Sequence, residues 1–238
     1  MLQVRDLSFQ YRGGDAVLDG LSLDLAENEV VSLLGPSGCG KSTVLRIIAE
    51  LLDTGEGDIV WKNDPELAFV FQDSALMPWA TVVENVSLPG RLNGKIDQQA
   101  VEAALVTVGL AGMDARFPAQ LSGGQRMRAS VARALAANPK ILLMDEPFAA
   151  LDEILRFQMN ELLLDLKATQ GLSILFVTHS LYEAAYLSDR VLVMNRGQVK
   201  GEVIPKLDRS LSGHDQRAST AFTSAVTDIS YLMAGGEQ

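Results

Sequence analysis

Residues 35–42 read GPSGCGKS, a glycine-rich loop between the apolar run VVSLL (30–34) and the helical pattern KSTVLRIIAELL (41–52). Strand, loop and helix in this order are the context that the pattern G-x-x-x-x-G-K-[ST] requires for phosphate binding. The glycines let the backbone curl around a phosphate, and the N–H groups at the helix start supply positive potential. Lys41 can then reach the β- and γ-phosphates, and Ser42 offers its hydroxyl to Mg²⁺. The loop therefore predicts a site for a nucleoside triphosphate with Mg²⁺.

Four short, continuously apolar runs have the composition of strands that are covered on both faces. They are VVSLL (30–34), LAFVF (67–71), ILLM (141–144) and SILFVT (173–178). Segments of helical periodicity separate them, such as DEILRFQMNELLLDLKATQG (152–171), which stops at a glycine. Together they predict an α/β fold, a P-loop NTPase core with a mostly parallel sheet.

Residues 2–34 read as antiparallel β structure, because LSLDL (21–25) alternates apolar and polar residues. Gly13–Gly14 and Asp19–Gly20 are turn signals within this segment. We therefore predict an N-terminal antiparallel β subdomain in which these two dipeptides form turns.

The stretch between the second and third apolar runs is too long for a single crossover and contains helical patterns such as DQQAVEAALVTVGL (97–110). It predicts an inserted α-helical subdomain over about residues 73–138, within a main domain of residues 1–205. VLVMNRGQV (191–199) predicts a hairpin. The polar residues 206–238 form a C-terminal tail that we expect to be partly helical.

The composition argues against several classes of protein. The net charge of -10 disfavours a protein that tracks nucleic acid, because such proteins neutralise phosphates with Lys and Arg. The single cysteine, Cys39, cannot form an internal disulfide, and the N-terminus lacks an apolar signal core, so we expect a reducing cytoplasmic setting. No apolar run approaches the roughly 18–20 residues of a membrane span.

Each of the four apolar runs ends at a residue that an apolar core would not select. These residues are Gly35, Gln72, the pair Asp145 and Glu146, and His179. Because ligand sites in parallel α/β sheets lie beyond the carboxyl ends of the strands, the four ends should meet in one crevice. Each residue alone has a simple alternative as a satisfied polar loop residue, but four together favour a site.

The acidic pair can divide its work, because neighbouring side chains at a strand end point in different directions. Asp145 is placed to bind Mg²⁺ or a metal-bound water, and Glu146 to orient or deprotonate an attacking water. Gln72 can ligate the metal or sense the γ-phosphate, and His179 can hydrogen-bond the γ-phosphate or the water. A loop salt bridge for Glu146 and a capping role for His179 are the alternatives.

LSGGQ (121–125) is a second glycine-rich helix start. Ser122, Gly123 and Gly124 allow an anion to approach the free N–H groups of a helix N-terminus. It has no lysine equivalent to Lys41 and no metal carboxylate of its own, so it has the features of half a site.

The motifs GPSGCGKS, LSGGQ, ILLMDEP, ALD (150–152) and TH (178–179), in this order, resemble the nucleotide-binding subunits of ATP-binding cassette (ABC) transporters over about residues 2–205. The resemblance implies an ATPase that uses ATP and Mg²⁺. It also implies that two copies stack head to tail, so that Ser122 and Gly124 of one copy complete the γ-phosphate site of the other.

The resemblance assigns roles by matched position. Gln72 would be the coupling glutamine, Glu146 the catalytic base and His179 the switch histidine. Tyr11 would stack on adenine, and Asp152 would also contact the partner copy. The full set of residues implied at ATP is Tyr11, Gly35, Pro36, Ser37, Gly38, Cys39, Gly40, Lys41, Ser42, Thr43, Ser122, Gly123, Gly124, Gln125 and Asp152. Residues implied at Mg²⁺ are Ser42, Gln72 and Asp145. Alternatively, Tyr11 is an ordinary aromatic residue of a strand. Cys39 is either a small residue that fills space in the loop or a redox switch.

Without a membrane span, such a motor needs separate transmembrane permease subunits, and the full complex is expected to include a solute-binding protein. The motor itself is expected to be peripheral, at the cytoplasmic face of the inner membrane. FQDSALMPWATVVENVSLP (71–89) is a candidate contact, because it follows Gln72 and offers Leu76 to Trp79 as an apolar patch. Subdomain core is the alternative. MPW with TVVENV resembles importers of the nitrate, sulfonate and taurine group, with thiamine-precursor importers as near relatives.

Three other classes of protein could also contain the loop GPSGCGKS. A soluble ABC-type ATPase of the DNA-repair kind would need a long coiled coil before LSGGQ, and the ribosomal kind carries two cassettes in one chain; neither feature occurs here. A small-molecule P-loop kinase gives no reason for LSGGQ or His179. A module that binds ATP only as a structural ligand is harder to exclude, although Glu146 argues for turnover.

Overall fold

A computed structural model describes residues 1–63 and 66–235 of the 238-residue chain. The strands of this part of the chain form two sheets. The strands are β1 (Leu2–Gln10), β2 (Ala16–Leu25), β3 (Val30–Leu34), β4 (Glu56–Trp61), β5 (Leu67–Val70), β6 (Ile141–Asp145), β7 (Ser173–Thr178), β8 (Arg190–Asn195) and β9 (Gln198–Val203).

The larger sheet has the order β5-β6-β7-β3-β8-β9, and all its neighbouring strands are parallel except β8 and β9. Every residue of β3, β6 and β7 is buried, as expected for strands covered on both faces. The predicted mostly parallel sheet is therefore confirmed. Because β5, β6, β7 and β3 are parallel neighbours, their carboxyl ends lie side by side at one edge.

The smaller sheet, of order β2-β1-β4, is antiparallel and confirms the predicted β subdomain. Gly13 lies in the β1–β2 turn with φ of 73°. The turn predicted at Asp19–Gly20 is wrong: both residues lie inside β2, where the β1–β2 pairing shifts register. Gly20 has φ of 65°, a left-handed conformation that glycine adopts readily, and it forms part of a β-bulge rather than a turn. The prediction also missed β4.

The described residues form nine α-helices, and four of them, α2 to α5, come between β5 and β6 in the sequence. The helices are α1 (Lys41–Ile48), α2 (Val82–Val86), α3 (Leu88–Leu92), α4 (Gln98–Thr107), α5 (Gly123–Leu135), α6 (Glu153–Gln170), α7 (Leu181–Leu187), α8 (Gly213–Ala218) and α9 (Thr220–Met233). The prediction of a helix over 41–52 extends too far. Glu50 adopts φ of 57° and the N–H of Leu51 bonds back to the carbonyl of Arg46, a 6→1 closure that ends the helix.

The C-terminal helices are part of the packed structure. Phe222, Ala225 and Ile229 of α9 are buried in one cluster with Tyr186 of α7 and Val191 of β8. Residues 236–238 of the predicted tail lie outside the described residues. Among the helices of residues 1–63 and 66–235, none combines the length and apolar character needed to cross a membrane.

Candidate nucleotide-binding site

The loop GPSGCGKS joins β3 to α1, and two of its glycines are required by the chain's own packing. A Cβ on Gly35 would lie 2.2 Å from the carbonyl oxygen of Met194. A Cβ on Gly40, which has φ of 103°, would lie 2.6 Å from a methyl carbon of Leu18. Gly38 has φ of 80° but meets nothing within 4 Å, so it serves the curl of the loop itself.

The ammonium group of Lys41 lies inside this loop, and the residue is 95% buried. Its Nζ donates to the carbonyl oxygens of Gly35, at 2.8 Å, and Pro36, at 3.0 Å. Cys39 is buried beside it, with Sγ 3.9 Å from Nζ. Lys41 also lines the cavity described below, so its positive charge can reach a phosphate bound there.

Ser42 and Asp145 bring the start of α1 to the end of β6. The hydroxyl of Ser42 donates to Oδ1 of Asp145 at 2.6 Å, and a guanidinium nitrogen of Arg46 lies 3.7 Å from Oδ2. Burial raises the pKa of the Asp145 carboxyl, while the Ser42 hydrogen bond and the Arg46 charge act against this shift. The pair thus presents two oxygen donors side by side, the ligand type that Mg²⁺ prefers.

The described residues contain no group of three His, Cys, Asp or Glu side chains that could hold a metal ion. At phosphate sites Mg²⁺ usually takes only one or two protein ligands, together with substrate phosphates and water. Ser42 and Asp145 therefore fit a metal that is bound together with the nucleotide.

Glu146 and His179 form the second pair at this sheet edge. Oε2 of Glu146 lies 3.1 Å from Nδ1 of His179. Glu146 adopts φ of 45°, and its N–H donates to the carbonyl of Val177 at 3.0 Å, so the chain turns sharply at the end of β6. The side chain of Glu146 is 20% exposed and that of His179 is 59% exposed. Both reach water, as groups that handle a water molecule must.

A cavity of about 410 Å³ brings together several of the residues predicted at ATP, although Pro36 and Cys39 of the loop are absent from its lining. It is lined by Tyr11, Val17, Ser37, Gly38, Gly40, Lys41, Ser42, Thr43, Gln72 and Glu146. Tyr11 is 41% exposed, and its hydroxyl lies 3.4 Å from Oγ1 of Thr43. Of the strand-end residues that the sequence singled out, Gln72 and Glu146 line the cavity directly. Gly35, Asp145 and His179 do not line it but contact its lining residues Lys41, Ser42 and Glu146.

The helix start at LSGGQ lies apart from this cavity, since residues 121–125 are absent from its lining. Ser122 caps α5 by accepting from the N–H of Gln125 at 3.2 Å, and the Gln125 side chain accepts from the N–H of Ser122 at 2.9 Å. A Cβ on Gly124 would meet Leu155 at 2.3 Å, whereas one on Gly123 would meet only an Arg126 nitrogen at 3.9 Å. Packing within the chain therefore explains the glycine at 124 but not at 123.

Asp152 lies beside this helix start rather than at the cavity. Its carboxylate caps α6 by accepting from the N–H of Leu155 at 2.9 Å, and the methyl groups of Leu151 and Leu155 face Gly124. Ser122–Gln125 and Asp152 thus form one exposed surface of the molecule, separate from the loop at Lys41.

Sequence reasoning missed a buried polar network behind His179. Glu183 of α7 is 94% buried and contacts Thr178 and Arg156. The signal was present in the sequence: Glu183 interrupts the otherwise apolar and aromatic run LYEAAYL, which forms α7. An acidic residue at such a position is expected to have a specific partner.

Comparison with known proteins agrees with this geometry. The family described as ABC transporter matches residues 18–149. The aliphatic sulfonates import ATP-binding protein SsuB 2 of Nocardia farcinica is 46% identical over 209 residues, which cover 88% of this chain and 86% of that protein. The taurine import ATP-binding protein TauB of Yersinia pestis is 43% identical over 216 residues, covering 87% and 84% of the two chains.

A solved structure of the ATP-binding cassette MJ0796, described as a dimeric post-hydrolysis state bound to ADP and Pi, superposes with a TM-score of 0.79. It is 32% identical and covers 86% of this chain and 98% of that one. The order of motifs, the fold and the relatives agree, and the predicted resemblance is confirmed. This chain belongs to the ABC transporter family, as one of its ATP-binding subunits.

Proposed function

We propose that this chain is the ATP-hydrolysing motor subunit of an importer for aliphatic sulfonates, a class that includes taurine. One observation carries the ATPase assignment: the pairs Ser42–Asp145 and Glu146–His179 lie at neighbouring strand ends beside the phosphate loop. The relatives named above, sulfonate and taurine import proteins, support the choice of cargo.

The residues at the crevice divide the chemistry between binding and proton transfer. Backbone N–H groups of the loop and Nζ of Lys41 would bind the β- and γ-phosphates, and Tyr11 would stack on the base. Ser42, Asp145 and Gln72 would hold Mg²⁺, which would neutralise charge on the phosphate oxygens. This leaves the acidic side chain next to Asp145 free to act on water.

Glu146 would accept a proton from the attacking water at its carboxylate oxygen. Its partner His179 is placed to orient the same water or to donate to the γ-phosphate. The left-handed backbone at Glu146 supports this role, because such a conformation is strained for a glutamate and strained residues cluster at functional sites. The proton transfer would be the step that depends on this pair.

Two copies of the chain would assemble head to tail around two ATP molecules. Ser122–Gln125 and Asp152 lie on an exposed surface away from the chain's own phosphate loop, and Gly123 has free space above it. A second copy could bring its ATP to that surface. The compared cassette MJ0796 is described as dimeric, which supports this arrangement.

The membrane partner would bind at the loop that follows Gln72. Trp79 is 76% exposed, while Leu76 packs against the helical core, so the apolar patch is smaller than the sequence predicted. Buried Asn85 holds this loop in place: its Oδ1 accepts from the N–H of Met77 at 2.7 Å, and its Nδ2 donates to the carbonyl of Ala80 at 3.1 Å. A rigid loop with one exposed tryptophan is suited to dock a permease subunit.

We place the chain, in its working state, at the cytoplasmic face of the inner membrane, with transmembrane permease subunits and a solute-binding protein completing the complex. Residues 1–205 would form the ATPase domain, with residues 73–138 as its inserted helical subdomain. The last helices would be an appendix that packs on α7 and β8.

The test is a reconstituted complex, in lipid nanodiscs, of this chain with the membrane protein that copurifies with it. Binding protein loaded with an alkanesulfonate or taurine should stimulate ATP hydrolysis, and binding protein offered nitrate or a thiamine precursor should not. Stimulation by one of the latter would replace the cargo assignment. Hydrolysis without any copurifying membrane protein would favour a soluble ABC-type ATPase.

A further inference from the structure

The carboxylate of Glu183 connects two loops that the proposed mechanism needs. One oxygen accepts a hydrogen bond from the hydroxyl of Thr178, and the other lies 3.3 Å from Nε of Arg156. Thr178 is the last residue of β7 and directly precedes His179. Arg156 lies in the first turns of α6, which begins after Asp152. Two segments far apart in sequence therefore meet at one buried side chain.

The connection extends to the backbone on both sides. Oγ1 of Thr178 also accepts from the N–H of Ser180 at 3.0 Å, so the residues on either side of His179 are tied together. Arg156 donates to the carbonyl oxygen of Leu151 at 3.0 Å, next to Asp152. The contacts therefore run without interruption from the loop at Asp152 to the chain at His179.

A role in stability alone gives a poor reason for this glutamate. Burial raises the pKa of the Glu183 carboxyl, and the hydrogen bond from Thr178 and the charge of Arg156 only partly offset that effect. Replacing a buried ion pair as a whole by neutral side chains of similar volume is often neutral or stabilising, so such a pair is weak evidence for a role in stability. In addition, Nε of Arg156 is close to Glu183 but has no acceptor in hydrogen-bond geometry within the described structure. The ion pair is therefore not fully formed.

We infer that Glu183 is a positioning residue that links the partner-facing loop at Asp152 to His179, so that contact with the second copy aligns the histidine for hydrolysis. This inference rests on the proposed function. Docking of the partner at residues 150–152 would shift Arg156 and tighten its contact with Glu183. Thr178 would then transmit the change to His179.

The first test compares Glu183→Gln, which keeps the shape and removes the charge, with Glu202→Gln. Glu202 is a matched control, because it also pairs with an arginine, Arg190 at 3.0 Å, but on the β8–β9 hairpin. In Glu183→Gln the kcat for ATP should fall by about tenfold, with KM and ATP binding changed less than about twofold. In the control both constants should stay within about twofold. Equal kcat values in the two variants would overturn the inference.

A second readout observes the histidine directly. The chain has two histidines, His179 and His214, so the imidazole NMR signals can be assigned with a His214→Gln variant. Glu183→Gln should move the His179 signals and leave those of His214 in place. Arg156→Gln should reproduce the loss in kcat, and the double variant should lose little more than either single variant, because both changes break the same link. Fully additive losses, or an unmoved His179 signal, would contradict the link.

The outcomes separate the inference from the proposed function. If the wild-type chain hydrolyses no ATP in its dimeric complex, the proposed function is wrong, while the NMR comparison still decides whether Glu183 positions His179. If Glu183→Gln does not fold, Thr178→Val against Thr178→Ser provides the same comparison. The serine retains the hydroxyl and should retain kcat, whereas the valine should lose it.

Discussion

Nδ1 of His179 lies 3.1 Å from Oε2 of Glu146, across the ends of two adjacent parallel strands. The two residues are 33 positions apart in sequence, and the β6–β7 pairing places them together. Contact with the imidazole orients the carboxylate, and the exposure of both groups leaves them open to water. The pair therefore fits the proposed roles of Glu146 as a general base and His179 as the group that orients it.

Replacing Glu146 by Gln should preserve ATP binding and reduce turnover. The amide keeps the shape of the side chain but cannot take a proton, and a positioned base is worth roughly 10²- to 10⁴-fold in rate. ATP affinity and steady-state hydrolysis should be measured on the same preparations. Glu27→Gln, at a glutamate whose side chain is 63% exposed, is the control and should behave as wild type. Unchanged hydrolysis in the Glu146 variant would remove that residue from the base role.

The two glycines of the α5 start should respond oppositely in stability. Gly123→Ala meets no close atom, and an alanine in a compatible helical position stabilises by about 0.4–1 kcal/mol. Gly124→Ala would press on Leu155 and should destabilise by about 1–3 kcal/mol. Gly123→Ala should also lower ATP hydrolysis, because its methyl would occupy the free space where the partner's phosphate would approach, whereas the methyl of Gly124→Ala points at Leu155 of the same chain. Denaturant unfolding and hydrolysis assays measure the two effects, and full activity of Gly123→Ala would contradict a shared site.

The sequence was sufficient for the strands whose apolar runs are continuous, because burial on both faces leaves an unmistakable composition. It was not sufficient for β4, EGDIVW, whose residues are exposed or half-buried and show no apolar run. Asp19–Gly20 shows a different limit: glycine signals a left-handed backbone, but a turn and a β-bulge both use that conformation. Whether β2 ends or continues at Gly20 depends on its pairing with β1, which the local sequence does not show.

For the candidate site, the sequence identified residues but not their spatial relations. Parallel strand ends placed Gln72, Asp145 and His179 at one edge, a consequence of sheet topology. The left-handed conformation of Glu146 has no local sequence signal. The sequence does indicate that Glu183 needs a partner, but only the tertiary structure shows that Thr178 and Arg156 are the partners.

Mixing two inactive chains should restore activity if sites are shared. Lys41→Ala removes the phosphate-binding ammonium, and Ser122→Arg blocks the surface offered to a partner. In a heterodimer of these variants, one composite site contains both defects and the other is intact. Hydrolysis should therefore reappear on mixing, while each variant alone stays inactive. Absence of any recovery, with heterodimers present by native mass spectrometry, would count against head-to-tail sharing, provided one site suffices.

Trp79→Ala should leave the isolated chain almost unaffected and uncouple it from its membrane partner. The side chain is 76% exposed, so its removal costs little stability, whereas an aromatic anchor in an interface is typically worth about 2 kcal/mol or more. Copurification with the permease and transport should both fall. Tyr231→Ala, at an aromatic that is 51% exposed on α9, is the matched control. Equal permease binding by the two variants would exclude Trp79 from the interface.

The stability difference between wild type and Glu183→Gln should depend on pH. Burial raises the pKa of Glu183 above its ordinary value of 4.5, and the charge of Glu146 raises it slightly further. The hydrogen bond from Thr178 and the charges of Arg156 and His179 lower the pKa and only partly offset this rise. Below 4.5 the glutamate is protonated in both the folded and unfolded chain, and the two proteins should unfold with similar free energies. As the pH rises from 4.5 towards the raised value, the unfolded chain ionises first, so wild type should lose stability relative to the variant. Urea unfolding across pH 5–8 tests this, with Glu202→Gln as the control. A variant that is less stable than wild type throughout that range would show that the ionised pair stabilises the fold, and that its retention needs no role in positioning His179.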